Sequence, residues 1–223
     1  MSSDPELRAR FVRDTKSAAG LHHPNVVTIY KVGEHEGRSF VAMEHVQGRT
    51  LADVIAGESI ASRDAVGIVL QVCDGLIDAH KNGVLHRDLR PDNIVIDRGG
   101  RARIAGLGFA ACAVVSNAEP GGRPFESPER ARGNDGDARS DVYSIGAVLR
   151  ELDGDNHFEA IVSRATSERP GDRYPTVEAL AVDLARARDR MFGAVPAGRL
   201  SSRCAAGLSA AAILLLMLAV FSY

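Results

Sequence analysis

The stretch Val84-Leu85-His86-Arg87-Asp88-Leu89-Arg90-Pro91-Asp92-Asn93-Ile94-Val95-Ile96 constrains this chain more than any other. It sets a histidine, an arginine, a carboxylate and an amide in the order H-R-D-x-x-x-x-N, too many fixed positions for chance to be a good explanation. Upstream, Val66, Val69, Cys73, Leu76 and Ile77 recur at helical spacing, which predicts a long helix from about Ser62 to Asn82. Ser62 is its expected N-cap and Gly83 its expected terminator. Downstream, Ile94 to Ile96 and Arg103 to Ala105 flank Asp97-Arg98-Gly99-Gly100, whose glycines supply the positive φ angles of a tight hairpin turn. The motif is therefore a loop between a helix and a hairpin.

The chain has 223 residues, 45% hydrophobic and 25% charged, which is the balance of a globular protein large enough to bury a core. One domain plus an appendage fits this length. A formal charge of -2 and the lack of any block of like charges exclude a strongly basic nucleic-acid binder, so no DNA or RNA partner is expected. Cys73, Cys112 and Cys204 form no C-x-x-C pair, and the seven histidines show no ligand spacing. Free thiols in a reducing compartment are the expectation.

The C-terminus differs from the rest. From Cys204 to Tyr223 twenty residues run without a charge, about the length a helix needs to cross a bilayer. Residues 204–223 are therefore expected to form one transmembrane helix, joined to the body by a linker over 191–203. Arg186, Arg188, Arg190, Arg199 and Arg203 precede it, so the positive-inside bias places the body on the cytoplasmic side of the cell membrane as a single-pass protein. The N-terminus Met-Ser-Ser-Asp-Pro-Glu lacks the basic then apolar pattern of a signal peptide.

Elsewhere, Leu7, Phe11 and Ala18 mark an amphipathic helix ending near Gly20, and Val26 to Val32 and Phe40 to Met43 read as strands around a turn at Glu34 to Arg38. Residues 106–128 are rich in Gly, Pro and Ala without a period and read as a loop. Asp141 to Leu152 and Thr176 to Arg188 return to helical spacing.

With these elements placed, the chain resembles the serine/threonine protein kinases, and its wording is most similar to the bacterial membrane-anchored type. His86 to Asn93 matches the family's catalytic loop. His23-Pro24-Asn25, Met43-Glu44-His45-Val46, Ser127-Pro128-Glu129, Ser140-Asp141-Val142-Tyr143-Ser144-Ile145-Gly146 and Asp172-Arg173-Tyr174 match further motifs. The resemblance covers about residues 5–190. It implies an α+β protein-kinase-like domain over 1–190, mainly the helical C-lobe with an incomplete N-lobe. It also implies ATP and Mg²⁺ as cofactors, Asp88, Arg90 and Asn93 as catalytic positions, Asn93 as a metal ligand, and Met43, Glu44, Val46 and Val95 around the adenine. Arg173 would pair with Glu129, and Asp141 would accept hydrogen bonds from the catalytic-loop backbone.

The departures bear on activity. Phosphoryl transfer needs phosphate cradles, metal ligands and a carboxylate that accepts the hydroxyl proton. The glycine-rich turn and strand lysine of the family have no counterpart here, and Asp14 stands at the position of the glutamate that pairs with that lysine. Gly106 replaces the metal-binding aspartate, and Gly122 stands where the class usually has a threonine that bonds the catalytic aspartate. The short run Asp153 to His157 replaces a substrate-docking helix. The expectation is transfer of the ATP γ-phosphate to protein Ser or Thr that is weak or absent, with the chain acting as a pseudokinase that binds other proteins or dimerises. The alternative is an active kinase whose N-terminal part lies upstream of Met1.

Overall fold

The computed structural model describes residues 15–35, 38–57, 59–109 and 124–193. The N-terminal helix is expected to end near Gly20, and residues 15–18 are helical and give way to a turn at 19–20. The chain then forms a hairpin, β1 (Ile29–His35) and β2 (Arg38–Met43), paired antiparallel as a sheet of two strands. Its first strand starts three residues later than the apolar run predicted. Val26 instead makes a lone parallel bridge to Ile104, and the Val27 amide donates to the Ile104 carbonyl at 2.8 Å.

A second sheet has the order β3 (Gly48–Thr50), β4 (Ile94–Asp97), β5 (Ala102–Ile104), all antiparallel. The expected β4–β5 hairpin is present, with Gly100 at φ 77 and the Asp97 carboxylate accepting from the Gly99 and Arg101 amides.

The body is helical: α1 (Leu51–Gly57), α2 (Ser62–Lys81), α3 (Pro128–Ala131), α4 (Ala138–Leu152), α5 (Glu159–Ala165) and α6 (Val177–Phe192). α2 buries Ala65, Val66, Ile68, Val69, Val72, Cys73, Leu76 and Ala79, and it packs against α4, α6 and β5. Burying one such aliphatic side chain contributes about 1.5–3 kcal/mol, so this face is the main apolar spine. Ser62 is not the N-cap. Ala61 holds that position without a side-chain bond, and Ser62 Oγ faces Asp155 and His157 instead. Gly83 ends the helix as expected, at φ 72 with its amide on the His80 carbonyl. α4 is capped by Asp137 and α6 by Thr176, each accepting from a first-turn amide.

α1, β3 and α5, of seven, three and seven residues, are too short for a sequence period to mark. Among the described residues no helix is long and apolar enough to cross a membrane. The predicted span 204–223 lies outside the described residues, as do Asp14, Gly122, Cys112 and Cys204.

Candidate active site

The loop from His86 to Asn93 is built on a buried carboxylate. Asp141, fully buried in the first turn of α4, accepts from the His86 amide at 2.9 Å and the Arg87 amide at 2.8 Å, and its Oδ2 lies 2.7 Å from His80 Nε2. Burial alone would raise the Asp141 pKa. The hydrogen bond and charge of His80 and the Arg87 amide outweigh burial and hold it below the ordinary aspartate value. Arg87 takes φ 64, a left-handed conformation that costs a non-glycine residue energy and that the Asp141 bonds fix in place.

The His86 ring is fully buried, and burial keeps its pKa below the ordinary histidine value against the attraction of Asp141 and Asp88. The neutral ring is oriented at both nitrogens. Its Nδ1 accepts from the Asp88 amide at 3.3 Å, and its Nε2 donates to the Ala105 carbonyl at 3.1 Å. The loop that presents Asp88 is thereby tied to the chain just before Gly106.

Asn93 closes the loop. Its Nδ2 donates to the Asp88 carbonyl at 2.7 Å and approaches Asp88 Oδ2 at 3.4 Å, while its own carbonyl accepts from the Ala105 amide at 2.8 Å. Asp88 and Asn93, expected together from the motif, are therefore neighbours. Arg90 is placed differently: its Nε donates to Asp92 at 2.8 Å on the surface. It still borders a pocket of about 180 Å³ whose walls are Arg87 to Arg90 on one side and Pro124 to Glu126 on the other. Ser144 of α4 fixes the second wall by donating to the Phe125 carbonyl at 2.8 Å.

The segment after β2 carries the other expected positions. Met43 ends β2 opposite Ile29 and is 36% exposed, and Val46 is half-buried between β2 and β3. Val95 sits in the middle of the three-stranded sheet, opposite Thr50 and Arg103. Glu44 turns its side chain to Arg103. Arg103 and His80 both escaped the sequence reading, because each acts through a partner far away in sequence and neither belongs to a motif.

Does this set of residues fit ATP and Mg²⁺? Asn93 offers one amide oxygen, and Asp88 is beside it. Gly106 sits at φ 81 with an ideal Cβ 3.6 Å from Asn93 Oδ1, so a carboxylate there would face the amide, and glycine supplies none. Magnesium asks for near-octahedral oxygen ligation with one or two carboxylates. Among the described residues no group of three or more His, Cys, Asp or Glu could hold a metal ion. Asp88 and Asn93 are the side chains here that could offer the ion oxygens, and the second carboxylate that would face Asn93 from position 106 is missing.

The activation-segment anchor matches its expectation. Arg173, with a fully buried side chain, donates Nη1 to Glu129 Oε1 and Nη2 to Oε2, both at 2.8 Å, and also reaches the Ser167, Glu168 and Arg139 carbonyls. Burial pushes the Glu129 pKa up. The Arg173 and Ser140 hydrogen bonds outweigh it and bring the value down to about 2.

The chain as a whole is similar to known proteins. The protein kinase domain family matches residues 2–201. The serine/threonine-protein kinase PknB of Mycolicibacterium smegmatis is 33% identical over 85% of this chain and 37% of its own length. Serine/threonine-protein kinase PrkC of Bacillus subtilis is 32% identical over 84% of this chain and 35% of its own. The chain thus spans little more than a third of the curated relatives it matches. The crystal structure of a mutant form of the Mycobacterium tuberculosis PknI kinase domain superposes with a TM-score of 0.71 at 26% identity, covering 83% of this chain and 80% of that one. The catalytic-loop scaffold on Asp141, the Glu129–Arg173 anchor and these likenesses agree that the chain belongs to the serine/threonine protein kinase family.

Proposed function

We propose that this chain is a kinase-family module whose phosphoryl transfer is weak or absent and which acts by binding other proteins. The observation that carries this reading is Gly106. The position facing Asn93 is built and close, and it carries no carboxylate. Loss of one preorganised charge-stabilising group typically costs about 10²–10³ in rate. An adenine ring can still be received along Met43 to Val46 without a metal. The hairpin leaves Tyr30 68%, Phe40 38% and Met43 36% exposed, apolar side chains that support a protein partner or a dimer. The uncharged residues 204–223 support tethering to a membrane with the body on the cytoplasmic side.

The test is a thermal-shift titration of the chain with ATP, with and without magnesium, using Asn93→Ala as control. A ligand of the native state raises the midpoint by mass action. The expected result is no magnesium-dependent shift. A magnesium-dependent rise that Asn93→Ala abolishes would overturn the proposal and favour the second reading, an active kinase. That second reading draws on one observation: Asp88, Asn93 and the adjoining pocket are assembled together.

A further inference from the structure

The two sheets are joined by a side-chain bridge between Glu44, which belongs to one of the family motifs, and Arg103, which belongs to none. Arg103 lies in the middle of β5, and Glu44 is the first residue after β2. Arg103 Nη1 donates to Glu44 Oε1 at 2.9 Å and Nη2 to Glu44 Oε2 at 2.6 Å. Nη2 also reaches the Val26 carbonyl at 3.2 Å. Glu44 is held a second way, its amide donating to the Thr28 carbonyl at 2.8 Å and its Oε2 accepting from the Thr28 amide at 3.4 Å. Both side chains are largely buried, Arg103 16% and Glu44 26% exposed.

The consequence runs through β5. Arg103 pairs with Val95 across the sheet, and two residues on, the Ala105 amide is bonded to the Asn93 carbonyl. Residues 44–47 have no regular structure of their own, so their placement relative to Val95 and Asn93 depends on what grips them. A two-point guanidinium–carboxylate fork resists both sliding and rotation, which a single hydrogen bond does not.

We infer that Arg103 and Glu44 are a positioning pair that fixes the segment 44–46 against the β4–β5 edge, and so sets the backbone edge on which an adenine ring would rest. The adenine part rests on the function proposed above, whereas the positioning part does not. Glu44 therefore contributes to that edge through its backbone, with its carboxylate committed to Arg103.

Two readouts on the full chain separate these parts. The first is amide hydrogen exchange without nucleotide in wild type, Arg103→Leu, Arg103→Lys and the charge swap Arg103→Glu with Glu44→Arg. Exchange over 44–47 is expected to be about tenfold faster in Arg103→Leu, intermediate in Arg103→Lys, and slowed again in the swap, with α2 and α4 amides unchanged. Equal exchange over 44–47 in wild type and Arg103→Leu would overturn the positioning role. If Arg103→Leu loosens α2 as well, the swap decides: protection restored over 44–47 supports the pair, and protection not restored overturns it. The second readout is binding of ADP without magnesium, expected to weaken at least about fivefold in Arg103→Leu. Wild type that binds no ADP would overturn the adenine part alone, leaving the exchange result to decide the positioning part.

Discussion

A carboxylate at position 106 would point at Asn93, and the proposed weakness of phosphoryl transfer draws first on its absence. Its backbone sits at φ 81, in the left-handed region that glycine adopts freely and that aspartate visits more readily than most residues. Gly106→Asp is therefore expected to lower stability by only about 1 kcal/mol, while placing a second oxygen ligand opposite Asn93 Oδ1. The thermal midpoint of this variant should rise with magnesium and ATP added together, where wild type is expected to stay unmoved. If the variant also shows no shift, Gly106 is not the limiting omission, and losses elsewhere in the chain dominate.

At the scale of elements, the catalytic loop is an attachment to α4 rather than a self-supporting turn. One buried carboxylate accepts from two loop amides and meets His80 of α2, so it joins α2, α4 and the strained Arg87 peptide. Asp141→Asn keeps the shape but removes the charge and turns one acceptor into a donor, which leaves buried groups unmatched. The expected loss is about 3 kcal/mol in urea unfolding, with faster amide exchange at residues 86–87 than at α6. A variant as stable as wild type would refute the attachment. The sequence made this joint half-legible. Asp141 and the loop it serves stand in recognisable motifs, and α2, α4 and α6 are long enough for their apolar period to declare itself. His80 falls on the apolar stripe of α2, four residues after Leu76 and seven after Cys73, but its role could not be read, because only the fold brings it to Asp141. The same holds for β3. Three residues are too few for a period, and what requires Gly48 there is the Ile96 carbonyl across the sheet, into which any Cβ would collide. Arg103 and Glu44 are 59 residues apart, and no local pattern links them. α1 and α5 are each seven residues long, two turns with no long apolar stripe to detect.

For the whole molecule, acid should separate the parts that the buried carboxylates join. Glu129 has a folded pKa of about 2 against an ordinary 4.5. A depressed carboxylate pKa contributes stability that is complete above the unfolded value and is lost as pH falls through the folded one. That contribution is at most about 3 kcal/mol, reduced by whatever solvent screens the pair, present above pH 4.5 and lost on the way to pH 2. Asp141 and Asp137, also lowered, act in the same direction, while Asp74, raised by burial, opposes them. Urea midpoints measured from pH 7 to pH 3 should therefore fall, and Glu129→Gln should flatten the fall while lowering the pH 7 value; an unchanged slope in that variant would remove Glu129 from the account. The other property of the whole chain is its uncharged end, residues 204–223. If this end inserts as one helix, its middle is the place where a charge does most harm, about 2.5–3.5 kcal/mol for each arginine. Leu214→Arg with Leu216→Arg should release the full chain from membranes into the alkaline-carbonate wash, whereas Arg199→Gln with Arg203→Gln should leave it bound and weaken only the preference for the cytoplasmic side. Retention of the double arginine variant would mean that something other than 204–223 holds the chain to the bilayer, and the exposed hairpin side chains Tyr30 and Phe40 would be the next place to look.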